Sequence, residues 1–102
     1  MKIIGIIPAR YASTRFPGKP LVDIGGKTMI RRVYEQAKKT LLLNDVYVAT
    51  DDQRIAAEAA RFGGNCMITL ESHKSGTDRC HEVVEKLKAG GLSFDVAINI
   101  QG

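Results

Sequence analysis

Short unbroken apolar runs alternate along this chain with longer stretches in which apolar residues return every third or fourth position. The first run, Ile3–Ile7, is β-branched and has no polar face, as expected of a strand buried on both sides of a sheet. It breaks at Pro8. Thr28 can cap a helix over Met29–Lys39, with Met29, Ile30, Val33, Tyr34 and Ala37 on one face. Glu35 and Lys39 stand four apart on that helix as a favourable pair. Val46–Thr50 is a second strand, closed by Asp51-Asp52, and a helix with Ile55, Ala56, Ala59 and Ala60 inward then stops at Gly63-Gly64. Cys66–Leu70 reads as a third, weaker strand and Glu71–Thr77 as polar loop. Arg79–Lys88 is a helix with Cys80, Val83, Val84 and Leu87 inward, and Val96–Ile100 a fourth strand.

That βαβαβαβ order predicts an α/β fold: a doubly wound, mostly parallel sheet with helices over both faces. The expected strand order is 3-2-1-4, with a ligand crevice beside the first strand. The whole chain, 1-102, is read as one nucleotide-binding part of a longer protein. A parallel strand that ends such a pattern usually feeds another helix, yet here the chain stops at Gln101-Gly102. The fourth strand is then expected to present a bare edge, which invites self-pairing.

The loop after the first strand carries Arg10, Arg15 and Lys19 among Ser13, Thr14, Pro17 and Gly18. Three cations at the carboxyl end of the first strand of an α/β sheet call for an anionic ligand, and a nucleoside triphosphate fits best. Backbone N–H groups near Ser13-Thr14 can form an anion nest, with guanidinium forks on the phosphates. Phe16 reads as packing rather than a base platform. Two familiar phosphate motifs are excluded. Only Gly18 lies between the strand and Gly25-Gly26, so G-x-G-x-x-G is missing, and Leu21 stands where a P-loop ending in Gly26-Lys27-Thr28 requires glycine. Gly25-Gly26 reads as a turn.

A second polar segment, His73 to Arg79, leads into the last helix. Ser75 or Thr77 can cap that helix and Asp78 suits its first turn. Arg79 is a cation at a positive helix end, and its donor fork matches the acceptors of a pyrimidine base. Asp51-Asp52 can bind metal or sugar hydroxyls, but such a pair more often starts a helix. Glu71, Glu82 and Glu85 read as solvated surface.

The net charge of +4 suits a phosphorylated small molecule or a nucleic acid. With three Tyr, three Phe and no Trp, several of them at inward positions, stacking platforms for RNA are poor. The apolar start is too short for a signal peptide, and no run approaches a membrane span. Cys66 and Cys80 read as buried free thiols in a reducing cytoplasm.

Four stretches in order carry a resemblance. Pro8 through Leu21, Val48-Ala49-Thr50-Asp51-Asp52, Ser75-Gly76-Thr77-Asp78-Arg79-Cys80 and Asn99-Ile100-Gln101-Gly102 are together similar to the 3-deoxy-manno-octulosonate cytidylyltransferases, or CMP-Kdo synthetases. The resemblance implies a Rossmann-like nucleotidyltransferase fold, represented here by its amino-terminal half. It implies attack of the anomeric hydroxyl of Kdo on the α-phosphate of CTP, giving CMP-Kdo and pyrophosphate for lipopolysaccharide assembly. Arg10, Arg15 and Lys19 are then catalytic and, with Ser13 and Thr14, hold the triphosphate. Ala9, Gly76, Thr77, Arg79 and Gln101 serve cytosine, ribose or sugar. Mg2+ is the expected cofactor, held by an acidic residue expected just after Gly102. The expected partners are CTP and Kdo, with no nucleic acid or membrane, and the full-length enzyme is expected to be a homodimer. On this reading the segment alone is inactive. The alternatives are an acylneuraminate cytidylyltransferase, whose loop lacks Arg-Phe-Pro-Gly-Lys-Pro, and a non-catalytic nucleotide- or RNA-binding module.

Overall fold

A computed structural model describes residues 2–10, 19–40, 42–69, 76–91 and 94–100, with the backbone alone at 19 and 76–78. The first apolar run forms β1 (Ile3–Pro8), with Pro8 as its last residue. A single 3-10 turn follows at Lys19–Leu21, then β2 (Asp23–Ile24), β3 (Lys27–Thr28) and helix α1 (Met29–Lys38). Next come β4 (Asp45–Thr50), α2 (Gln53–Arg61), β5 (Cys66–Ile68), α3 (Gly76–Ala89) and β6 (Val96–Asn99).

The main sheet is parallel and runs β5-β4-β1-β6. The expected order 3-2-1-4 counted four strands. Two short strands that the hydrophobic pattern does not reveal, β2 and β3, enter the numbering between the first and second of these and pair only with each other. Their antiparallel hairpin turns on Gly25 and Gly26, at φ of 64° and 93°. Two successive positive φ values are what glycine supplies at no steric cost.

Helices cover both faces. On one, Ile7, Ala9, Val46 and Val48 pack with Ile30, Tyr34 and Ala37 of α1 and with Ile55 and Ala59 of α2. On the other, Ile4, Ile6 and Ala49 pack with Cys80, Val83 and Leu87 of α3. The unbroken apolar run of β1 therefore feeds both cores, as a two-sided strand must.

The structure corrects several helical details. Glu35 pairs with Lys27 at 2.8 Å and Arg31 at 2.9 Å rather than with Lys39. Bonds from Lys27 and then Arg31 hold its carboxyl down to about 2. Ala60 is exposed, and its expected inward place falls to Glu58, which is 9% exposed. The α2 terminus is as expected: Gly63 adopts φ 78°, Gly63 N–H donates to Ala60 O and Gly64 N–H to Ala59 O. α3 starts three residues early, so Gly76 and Thr77 are helical rather than loop. Thr77 thus lies inside the helix and cannot be its cap; Ser75 is outside the described residues. Glu82 is largely withdrawn from solvent and pairs with Lys86 at 2.7 Å, whereas Glu85 is exposed.

Among the described residues no helix is long and apolar enough to cross a membrane. Both cysteines are free thiols, and burial raises their pKa values, that of Cys80 to about 11. Among the described residues β6 is the outer strand of the sheet, with Val96 39% and Ile98 41% exposed. Beside it runs an apolar groove of about 720 Å³ lined by Val33, Ala37, Leu42, Leu43, Ile98 and Ile100. An uncovered strand with apolar side chains pairs readily with another edge. At high protein concentration the chain is expected to self-associate, and Ile98→Lys to return it to monomer in sedimentation velocity. Identical sedimentation of parent and variant would rule the edge out.

Candidate nucleotide site

The parallel sheet places the ends of β1, β4 and β5 along one border, where loops leave and all three helices begin. The hydrogen-bond ladder continues one step past the strands. Ala9 N–H donates to Ala49 O at 2.9 Å, Thr69 N–H to Thr50 O at 2.9 Å and Ile100 N–H to Ile6 O at 2.8 Å. The loop exits are therefore held as firmly as the strands. Open α/β sheets bind ligands at such a border.

Of the expected site residues, Ala9 is buried directly after β1, and the exposed Arg10 follows it. Lys19 opens the 3-10 turn, which packs against both α1 and α2. Leu21 anchors that turn to the core, and Met29 N–H, at the start of α1, donates to Val22 O at 2.9 Å. Gly76, Thr77 and Arg79 form the first turn of α3 on the opposite face. Ser13, Thr14, Arg15 and Gln101 lie outside the described residues, as do Phe16, His73 and Gly102.

Arg79 has no exposed surface. Its Nη1 donates to Thr69 Oγ1, just after β5, and stands 3.7 Å from Asp51 Oδ1, just after β4. These contacts answer the question posed by a cation at a positive helix end. Asp51 supplies the opposite charge, and Thr69, itself buried, supplies an acceptor. The adjacent carboxylates divide their work. Asp52 accepts from Arg54 N–H at 2.8 Å and Ile55 N–H at 3.3 Å as the cap of α2, and pairs with the Arg54 side chain at 2.8 Å. Hydrogen bonds from Arg54 hold its pKa below the usual carboxylate value. The helix-starting role expected for the pair thus falls to Asp52, while Asp51 faces Arg79. Thr69 was hidden in the sequence as an ordinary β-branched strand residue.

A further polar junction ties the two helices that flank the Lys19 turn. Thr28, the α1 cap, accepts from Arg31 N–H at 3.4 Å and donates its own hydroxyl to Glu58 Oε2 at 2.6 Å. Arg61 grips both oxygens of the same carboxylate, at 2.7 and 2.9 Å. Bonds from Arg61 first, and also from Thr28, keep Glu58 below its usual pKa despite burial.

Known proteins share this fold. The 3-deoxy-manno-octulosonate cytidylyltransferase of Bacteroides thetaiotaomicron is 60% identical over all 102 residues, which span 39% of that relative's length. The mitochondrial 3-deoxy-manno-octulosonate cytidylyltransferase of Arabidopsis thaliana is 52% identical over 101 residues, 34% of its length. A solved structure of CMP:2-keto-3-deoxy-manno-octonic acid synthetase complexed with CTP superposes with a TM-score of 0.90 at 46% identity, covering 99% of this chain and 40% of that one. The cytidylyltransferase family profile matches residues 4–102, and the chain belongs to that family.

Proposed function

We propose that this chain is the nucleotide-binding part of an enzyme that activates Kdo with CTP, releasing pyrophosphate and yielding CMP-Kdo for lipopolysaccharide assembly. The observation that carries the reading is the common border. Arg10, the Lys19 turn and the first turn of α3 share the carboxyl edge of a sheet that superposes on a CTP-bound synthetase. The similar relatives are named for cytidylyl transfer to 3-deoxy-manno-octulosonate rather than to an acylneuraminate.

In the proposed reaction the anomeric oxygen of Kdo forms a bond to the α-phosphorus, its proton leaves, and the bond to the bridging oxygen of pyrophosphate breaks. Arg10, Arg15 and Lys19 offset the charge that grows on the leaving group, with Ser13 and Thr14 completing the triphosphate cradle. On this reading Ala9, Gly76, Thr77, Arg79 and Gln101 serve cytosine and ribose. In this scheme Arg79 acts from within the wall of the pocket, its guanidinium fixed by Thr69 and Asp51.

Magnesium belongs to the proposed chemistry as the ion that polarises the α-phosphorus. Among the described residues no group of three His, Cys, Asp or Glu comes together to hold a metal. Asp52 is committed to its cap and Arg54, and Asp51 faces Arg79. The described residues do not fit the ion, so the roles assigned here are those of cations and backbone. Because the chain spans 39% of such a relative, turnover, the sugar pocket and a homodimer are assigned to the longer polypeptide, working in the cytoplasm. The chain alone is expected to bind CTP weakly without turnover.

An NMR titration with CTP, and with ATP as control, tests the reading. Amide shifts confined to residues 9–19 and 76–79, stronger for CTP, are expected. Equal shifts with both nucleotides, or none, would reduce the loop to a basic surface.

A further inference from the structure

We propose that Glu58 is a positioning residue for the triphosphate end of the site, acting through Thr28 on the turn that begins at Lys19. The inference rests on the nucleotide-binding reading above, and deepens it. Glu58 lies on α2, outside the motifs that carry the resemblance, and contributes nothing to the loop directly.

Its influence follows a continuous path. The Lys19–Leu21 turn sits against both α1 and α2, so the angle between those helices sets where the turn lies. The turn is tied to α1 by Met29 N–H to Val22 O at 2.9 Å. The same helix end is tied to α2 by Thr28 Oγ1 to Glu58 Oε2 at 2.6 Å. Arg61 holds both Glu58 oxygens, so the carboxylate presents itself to Thr28 in one orientation. A hydrogen bond to a charged acceptor is short and strong, and this one is partly buried. Arg32 adds a brace, donating to Ile24 O at 2.6 Å and Gly25 O at 3.2 Å, so the hairpin between the turn and α1 moves with the helix. Glu58 thus fixes the backbone of the turn that Lys19 opens. Small misplacements of a binding group are costly because the ligand then orders what the protein left loose.

The test uses Glu58→Gln, Thr28→Val and the conservative Thr28→Ser in this chain, titrated with CTP and with CMP. Glu58→Gln and Thr28→Val are each expected to weaken CTP binding about 3- to 10-fold, less than the roughly 10- to 100-fold carried by a direct hydrogen bond to a charged group because the contact acts through the turn. CMP affinity should stay within about twofold, and Thr28→Ser should behave as the parent. The double variant Glu58→Gln/Thr28→Val should be no weaker than either single one, because both remove one contact. Equal losses for CTP and CMP would mark a merely structural residue and overturn the assignment, as would unchanged CTP affinity in a folded variant. Hydrogen exchange without nucleotide separates this inference from the reading beneath it. The Met29 amide should exchange at least about tenfold faster in Glu58→Gln. Faster exchange in Glu58→Gln, together with a parent that fails to prefer CTP over CMP, would sink the nucleotide reading and keep the positioning of the turn. Unchanged exchange would sink the positioning role whatever the nucleotide does.

Discussion

Arg79→Met is expected to lower the unfolding free energy by about 3 kcal/mol, read as a shift of the urea midpoint without a change in slope. Arg79 is fully buried, donates to Thr69 and stands 3.7 Å from Asp51. Methionine fills much of the same volume but leaves the Thr69 hydroxyl and the Asp51 carboxylate facing an apolar chain. Breaking a buried pair from one side costs about 3–5 kcal/mol when the remaining charge is enclosed. Asp51 keeps 23% of its side-chain surface in contact with solvent, which places the effect at the low end. Arg79→Lys retains the charge and loses the planar fork, so roughly half the loss should remain. A midpoint unchanged in Arg79→Met would show that the contact network contributes nothing to the fold.

Arg10→Ala is expected to act in the opposite way, leaving stability within about 0.5 kcal/mol while lowering CTP affinity about 10- to 100-fold. Arg10 is exposed just past a buried Ala9, so nothing in the core depends on its side chain. A guanidinium on a phosphate makes charge-assisted bonds worth about 1.5–3 kcal/mol. The loss should shrink as salt rises, because ions screen the same interaction in the parent. Calorimetric titration of both proteins with CTP at two salt concentrations measures this. CTP affinities within twofold of each other would remove Arg10 from the site. The two arginines therefore separate the stability of the border from its affinity.

Much of this architecture could be read from hydrophobic rhythm because the strands that matter are buried on both faces. β1 and β4 announce themselves as uninterrupted apolar runs, and α1 shows a clear 3.6-residue stripe capped by Thr28. The hairpin of β2 and β3 escaped because two-residue strands have no period to detect. The α3 start was placed late because Gly76 and Thr77 have weak helix propensity, and tertiary packing overrides it. Glu58 was missed for a related reason. Its burial depends on Arg61 and on Thr28, thirty residues away, and no local pattern reveals an acceptor arriving from another helix.

The site was legible to a different degree. The donor fork of Arg79 was read for a pyrimidine base rather than for the Thr69 and Asp51 contacts it makes, although the oddity of a cation at the head of α3 was visible in the sequence. The partners themselves were not, since Asp51 and Thr69 come from the ends of two other strands. Sequence order shows which residues are unusual, whereas the pairing of strands decides which of them meet.

The ladder bonds that run one residue past β1, β5 and β6 have an evolutionary consequence. Because the points of departure are fixed by backbone atoms alone, the intervening segments can change length and composition without retuning the sheet. Loop chemistry can then drift independently of thermal tolerance, so one scaffold can host different sites.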